Sequence, residues 1–301
     1  MPKLFIRQKP FFLRRLEKTP PEASWPGRGL PVDCLDQASC FETLRAYGGR
    51  LFCLDRHVER LAGSCKGLGR SLPLSKDELK EWVEEGLRES GLRNALLRLT
   101  LFWKTPGEGA LVVMLREFVS HPSEWYRRGT SLKTAAAKRG NLRAESPEVK
   151  AGQYVSGILS VLASARRPSH EMIFLQEAGA VVEGTISNIF VVGGAEFGEG
   201  AVELLTPAVY SGILKGVTRD VVIQLARRKG IKVGETLLTR HDVYNARESF
   251  ITNTSSEVLP VVQVDGRKIG DGRPGPVTRA LREEFKKYVY AENSKGPHQR
   301  L

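Results

Sequence analysis

The chain has 301 residues, 41% of them hydrophobic and 27% charged, with a formal net charge of +12. That length buries the core of one large or two medium domains, and no apolar run approaches the ~18 residues that span a bilayer. The Lys and Arg residues are scattered beside acids, as in K-D-E-L-K-E-W-V-E-E-G, without the interleaved aromatics on which single-stranded nucleic acid stacks. Nucleic acid and membrane are therefore not expected as partners, whereas anionic small molecules suit the charge.

Residues 1–30 are rich in Pro and Arg and read as an irregular, solvated arm, too interrupted by charge for a secretory segment. The cysteines Cys34, Cys40, Cys53 and Cys65 form no C-x-x-C pair, so no metal is expected, and reduced thiols of a cytoplasmic protein are the reading. From Cys40, C-F-E-T-L-R-A-Y-G-G-R-L-F-C-L predicts two strands joined by a Gly-Gly hairpin turn. Asp55–Leu68 and Ser75–Ser90 carry helical periodicity, and the second opens on the capping-box pattern S-K-D-E. The strand-like runs A-L-L-R-L-T-L-F-W and A-L-V-V-M-L-R-E-F, separated by P-G-E-G, close a compact α+β unit near Phe118. The segment S-H-P-S-E-W-Y-R-R-G reads as a connector. This divides the chain into a small domain at 1–118, a connector at 119–128 and a large domain at 129–301.

In the large unit the clearest helices are Gln153–Arg167, with Val155, Ile158, Leu159 and Leu162 on one face, and Val217–Lys229, with Val217, Val221, Val222 and Leu225 inward. Gly270-Asp271-Gly272-Arg273-Pro274-Gly275 has the spacing of a dinucleotide loop. Such a loop must run straight into a helix, and Pro274 and Pro276 interrupt that path, so a turn is expected.

The most informative stretch is V-V-E-G-T-I-S-N-I-F-V-V, 181–192. Its β-branched runs want burial on a sheet. A buried Glu183 would then need a cation or a hydrogen-bonded ring nitrogen, because an unpartnered buried acid costs several kcal/mol. Lys150, in S-P-E-V-K-A-G-Q-Y, stands before a helix N-terminus, where the dipole and partial burial lower an ammonium pKa as Schiff-base chemistry requires. Taken alone it also reads as a surface lysine. In S-G-I-L-K-G-V-T-R the backbone N–H groups of Val217 and Thr218 could cradle a phosphate or simply start a helix. Arg60, in D-R-H-V-E-R-L, offers a guanidinium for the same phosphate or for solvent. His57 on that helix reads as structural, and Thr254, in F-I-T-N-T-S-S-E, as a turn hydroxyl.

In order along the chain, C-F-E-T-L-R-A-Y-G-G-R-L-F, D-R-H-V-E-R-L, L-R-L, K-A-G-Q-Y, E-G-T-I-S-N-I-F, L-L-T-P-A-V-Y-S-G-I-L-K-G-V-T-R, T-N-T-S-S-E-V-L-P-V and D-G-R-K-I-G-D-G-R-P-G-P-V-T resemble the fold-type IV pyridoxal-phosphate enzymes over residues 36–290. That group contains branched-chain and D-amino-acid aminotransferases and aminodeoxychorismate lyase. The resemblance implies an α+β, two-domain enzyme with a smaller N-terminal α/β sandwich-like domain and a larger C-terminal domain built on a pseudo-barrel sheet. It implies pyridoxal 5'-phosphate as cofactor, an amino acid and a 2-keto acid as substrates, and a homodimer.

By the same resemblance Lys150 is the Schiff-base lysine and Glu183 the partner of the pyridine nitrogen. Arg60, Val217, Thr218 and Thr254 bind the cofactor phosphate. Tyr154 neighbours the phenolic oxygen, and Ser187 and Asn188 support the ring. Phe41, Arg98 and Ser255 face the substrate.

The chain departs from the family at Asp36 and Leu96, where aromatics are common, and lacks an R-x-H after the L-R-L-T-L-F-W strand. T-S-S-E-V-L-P-V sits nearer the aminotransferase pattern, while Asn253 is common in lyase-like members. A transaminase of the branched-chain type is expected, with aminodeoxychorismate lyase and D-amino-acid aminotransferase as alternatives.

Overall fold

The computed structural model describes residues 14–15, 38–105, 108–135, 171–176, 178–193 and 202–294. Strand β2 (Ala38–Tyr47) turns at Gly48 and Gly49, whose φ angles of 59° and 88° only glycine adopts freely, into β3 (Arg50–Leu51). This is the hairpin expected from the Gly-Gly pair. Helix α1 (Leu54–Gly67) follows, then α2 (Lys76–Ser90). The Ser75 hydroxyl accepts from Glu78 N–H, and the Glu78 carboxylate accepts from Ser75 N–H, which satisfies two otherwise orphaned donors of α2. Strands β4 (Ala95–Thr105) and β5 (Glu108–Glu117) complete an antiparallel sheet.

The arm expected to be irregular contributes one further strand, β1 (Arg14–Arg15), paired with Val112 and Val113 at the edge of β5. That edge offers free backbone groups, a long-range reason no local pattern reveals. The sheet order is β1-β5-β4-β2-β3. Period-two alternation turns Cys40, Leu44, Leu97, Leu99, Leu101, Val113 and Leu115 toward α1 and α2 as one core. The opposite face carries Phe41, Arg45, Tyr47 and Arg98.

The segment expected as a connector contains a short helix, α3 (Ser123–Arg128). Glu124 in its first turn pairs with Arg127 and Arg128 in its last, matching the helix dipole. Trp125 and Tyr126 pack on the second core, so this stretch is bound to the fold.

The second sheet comprises β6 (Thr130–Thr134), β7 (Glu171–Leu175), β8 (Val181–Gly184), β9 (Asn188–Val192), β10 (Glu203–Pro207), β11 (Lys232–Thr236), β12 (Glu248–Asn253), β13 (Glu257–Val264) and β14 (Arg267–Lys268). Its order is β11-β10-β9-β12-β13-β6-β7-β8, with β14 on β13. Val181 N–H donates to Leu238 O at 2.7 Å, so the β8 end bridges to the segment after β11 and the sheet curls toward closure.

Among the described residues three α-helices accompany it: α4 (Val217–Arg228), α5 (Arg240–Tyr244) and α6 (Pro276–Ser294). Strands β8, β9, β10 and β12 are buried on both faces. Phe190, Val192, Leu204 and Phe250 pack with α4 and α6, while Ile189, Val191, Leu205 and Ile251 fill the inside of the curl. The rings of Phe190 and Phe250 stack at 4.8 Å.

Two sequence expectations meet a physical answer here. Pro276 does not interrupt the path out of the glycine-rich turn; it takes the first position of α6, where a missing N–H costs nothing. The turn reading holds for another reason. The Glu248 carboxylate accepts from Val277 N–H at 3.0 Å and from Thr278 N–H at 2.7 Å, filling the place a pyrophosphate would take. Cys40, Cys53 and Cys65 are free thiols. Among the described residues no helix is long and apolar enough to cross a membrane.

Candidate active site

The polar core of the 181–192 stretch forms a tight turn between β8 and β9, closed by Gly184 N–H donating to Ser187 O at 2.7 Å. This directs Glu183, only 2% exposed, inward. Its Oε2 accepts from Leu214 N–H at 2.7 Å and from Asn188 Nδ2 at 3.3 Å. Asn188 Nδ2 also donates to Leu214 O at 2.9 Å, so one amide side chain grips both the acid and the loop facing it. The approach requires glycine at 216: a Cβ there would lie 2.0 Å from Asn188 Oδ1.

Two residues on, the loop becomes α4. Gly216 is its N-cap and provides no side-chain cap. Val217 and Thr218 are the first helical residues, and the N–H groups of a first turn have no intrahelical partner and carry the positive end of the dipole. Arg60, on α1, reaches the same place and donates from Nη1 to Lys215 O at 2.8 Å. Thr254 lies in the turn between β12 and β13, and its hydroxyl donates to Thr43 O of β2 at 3.2 Å. The expected phosphate ligands Arg60, Val217 and Thr218 thus converge, and the loop 214–216 ties them to Glu183.

Sequence reasoning missed two buried acids that hold this arrangement. Glu42 of β2, fully buried, accepts from Arg60 Nε at 2.6 Å and Nη2 at 2.7 Å, and lies 2.8 Å from His57 Nδ1. Burial alone would push the Arg60 guanidinium down, but the Glu42 charge and hydrogen bonds raise it above its ordinary value. The signal was present in the sequence: Glu42 alternates with Cys40 and Leu44 on the inward face of a strand, where an acid must be paired. The second is Glu171 of β7, 2% exposed, whose Oε1 accepts from Ile186 N–H at 2.6 Å and from Ser187 Oγ at 2.9 Å. The Ser187 hydroxyl is thereby directed at the turn's own support.

On the face expected to meet the substrate, the Arg98 guanidinium lies 3.8 Å over the Phe41 ring. Burial lowers its pKa, and no carboxylate among the described residues pairs with it. Ser255 N–H and Ser256 N–H donate to Asn253 Oδ1 at 2.9 and 2.6 Å, an Asx turn that gives Asn253 a purely local task. Glu257, in the left-handed region at φ 59°, anchors this turn by accepting from Arg45 Nη1 at 2.8 Å and Tyr47 OH at 2.9 Å. Burial, then the Glu257 charge, raises the Tyr47 phenol. Lys150, Tyr154, Asp36 and the helix expected at Gln153–Arg167 lie outside the described residues.

Known proteins match this arrangement along most of its length. A putative branched-chain-amino-acid aminotransferase of Methanocaldococcus jannaschii is 38% identical over 82% of this chain and 85% of its own. A branched-chain-amino-acid aminotransferase of Pseudomonas aeruginosa is 32% identical over 81% and 82%. A solved branched-chain amino acid aminotransferase of Escherichia coli superposes with a TM-score of 0.76 at 30% identity, covering 84% of this chain and 86% of its own. The family model described as amino-transferase class IV matches residues 39–264, which include every described residue of the site. With its fold-type IV architecture, the chain belongs to the class IV amino-transferase family.

Proposed function

We propose that the chain is a pyridoxal 5'-phosphate-dependent aminotransferase that moves an amino group between a branched-chain amino acid and a 2-keto acid. One observation carries this reading: a buried acid, Glu183, and an anion cup, Arg60 with the start of α4, are joined through Leu214 and Lys215. An acid for a ring nitrogen and a cup for a phosphate are the two ends of a phosphorylated pyridine, and the donor set fits that group. The names of the relatives from Methanocaldococcus jannaschii and Pseudomonas aeruginosa support the substrate class.

When bound, the cofactor supplies an electron sink for the bond broken at the substrate Cα. The chain's residues do the rest. Arg60 and the N–H groups of Val217 and Thr218 bind the phosphate, with Thr254 at its rim. Glu183, held by Leu214 and Asn188, keeps a proton at the ring nitrogen. Lys150 anchors the cofactor and moves the proton at Cα, beside Tyr154. Phe41, Arg98 and the Ser255 backbone orient the substrate and exclude water. The same reading takes 1–118 and 129–301 as small and large domains and the working form as a cytoplasmic homodimer.

The test is a donor panel with 2-oxoglutarate as acceptor. L-Leucine, L-isoleucine and L-valine are expected to give their 2-keto acids with glutamate. Turnover confined to D-alanine, or release of pyruvate from aminodeoxychorismate without transamination, overturns the reading.

A further inference from the structure

We infer that Glu42, backed by His57, is the positioning residue of the phosphate cup: it fixes the plane of the Arg60 guanidinium so that its free N–H groups stand at the start of α4. The inference rests on the proposed function for the identity of the anion. Of the five guanidinium N–H groups, two donate side-on to Glu42 and a third to Lys215 O. A planar fork gripped at two points cannot rotate. The remaining two N–H groups are therefore presented beside Val217 and Thr218.

Glu42 itself is held by a second side chain of α1, which shares its Oε2 with Arg60 Nη2. His57 lies one helical turn before Arg60 on α1, is 2% exposed, and places Nδ1 2.8 Å from Glu42 Oε2. A fully buried acid is costly where an apolar residue would pack as well. Its neighbours on the inward face of β2 are the apolar Cys40 and Leu44. An anion placed next to an anion site weakens that site by charge and helps it only by geometry. That separates a positioning role from a plain ion pair between β2 and α1.

The experiment compares affinity for pyridoxal 5'-phosphate with affinity for pyridoxal, which lacks the phosphate, by equilibrium dialysis of the full chain, with thermal midpoints in parallel. Glu42→Gln is expected to weaken pyridoxal 5'-phosphate on the order of tenfold, the scale for removing an outer partner of a bound ion's ligand, and to leave pyridoxal unchanged. Glu42→Asp, which keeps the charge but shortens the reach, is expected to give the same selective loss and serves if the glutamine variant does not fold. His57→Asn, whose amide N–H replaces Nδ1–H, is expected to stay near the unsubstituted protein, while His57→Ala moves toward Glu42→Gln. Glu42 variants that lower only the thermal midpoint, or weaken both compounds equally, overturn the inference. If the unsubstituted chain itself fails to prefer the phosphorylated compound, the proposed function fails, and the inference with it.

Discussion

At the scale of single residues, Glu171 and Gly184 show how little slack surrounds Glu183. A Cβ on Gly184 would lie 2.3 Å from Glu171 Oε1 and from Ser187 Oγ, so the glycine of E-G-T exists to admit a carboxylate supplied by another strand. Burial raises that carboxyl to about 7, against the bonds from Ile186, Ser187 and Thr185. An unfolded glutamate loses its proton near ~4.3. Between that value and about 7 the folded chain binds more protons than the unfolded one, so stability falls as pH rises through the window. Glu171→Gln keeps an acceptor and removes the titration, and its thermal midpoint is expected to be flatter across that range than the unsubstituted protein's. Parallel curves would contradict this. Gly216→Ala forces the Asn188 amide away from Leu214 O, and cofactor affinity is expected to drop by about tenfold or more, measured by retention on dialysis. Glu42 and Glu171 were legible only as inward-facing acids, because their partners lie 15 to 18 residues away.

At the scale of elements, local chemistry was readable wherever it was self-contained. The Gly-Gly hairpin and the S-K-D-E cap of α2 depend on residues within a few positions of each other. Ser75→Ala should therefore cost about 1 kcal/mol in urea unfolding and leave turnover unchanged. Elements that depend on distant partners were not readable. Strand β1 exists because β5 has an open edge, and α3 is anchored by Trp125 and Tyr126 against the second core. Helix α6 starts at Pro276 under a cap supplied by Glu248, nearly 30 residues earlier. Replacing Glu248 by Ala leaves Val277 N–H, Thr278 N–H and the Thr278 hydroxyl without their acceptor. A loss of about 2 kcal/mol or more is expected by the same unfolding measurement; a change under half that size would show that solvent replaces the carboxylate.

At the scale of the whole molecule, the site is built where the two sheets meet. Arg60 on α1 reaches Lys215, Thr254 reaches Thr43, and Arg45 and Tyr47 reach Glu257. Phe52 of the first hairpin packs edge-on against Phe285 of α6. The placing of Arg60 against the start of α4 and Glu183 therefore depends on the register between the sheets. The sequence motifs carried Arg60, Glu183 and the start of α4 separately; what they could not show is that the loop 214–216 joins them through backbone groups, since backbone N–H and C=O are the same in every sequence. On the proposed function, this junction holds a phosphorylated pyridine cofactor with Lys150 as its anchor. Borohydride reduction of the purified chain with pyridoxal 5'-phosphate, followed by peptide mass mapping, tests it most directly. A reduced cofactor adduct is expected on Lys150, and it is expected to disappear when L-leucine is added before the reductant; an adduct on a different lysine, or none, would contradict the proposed function.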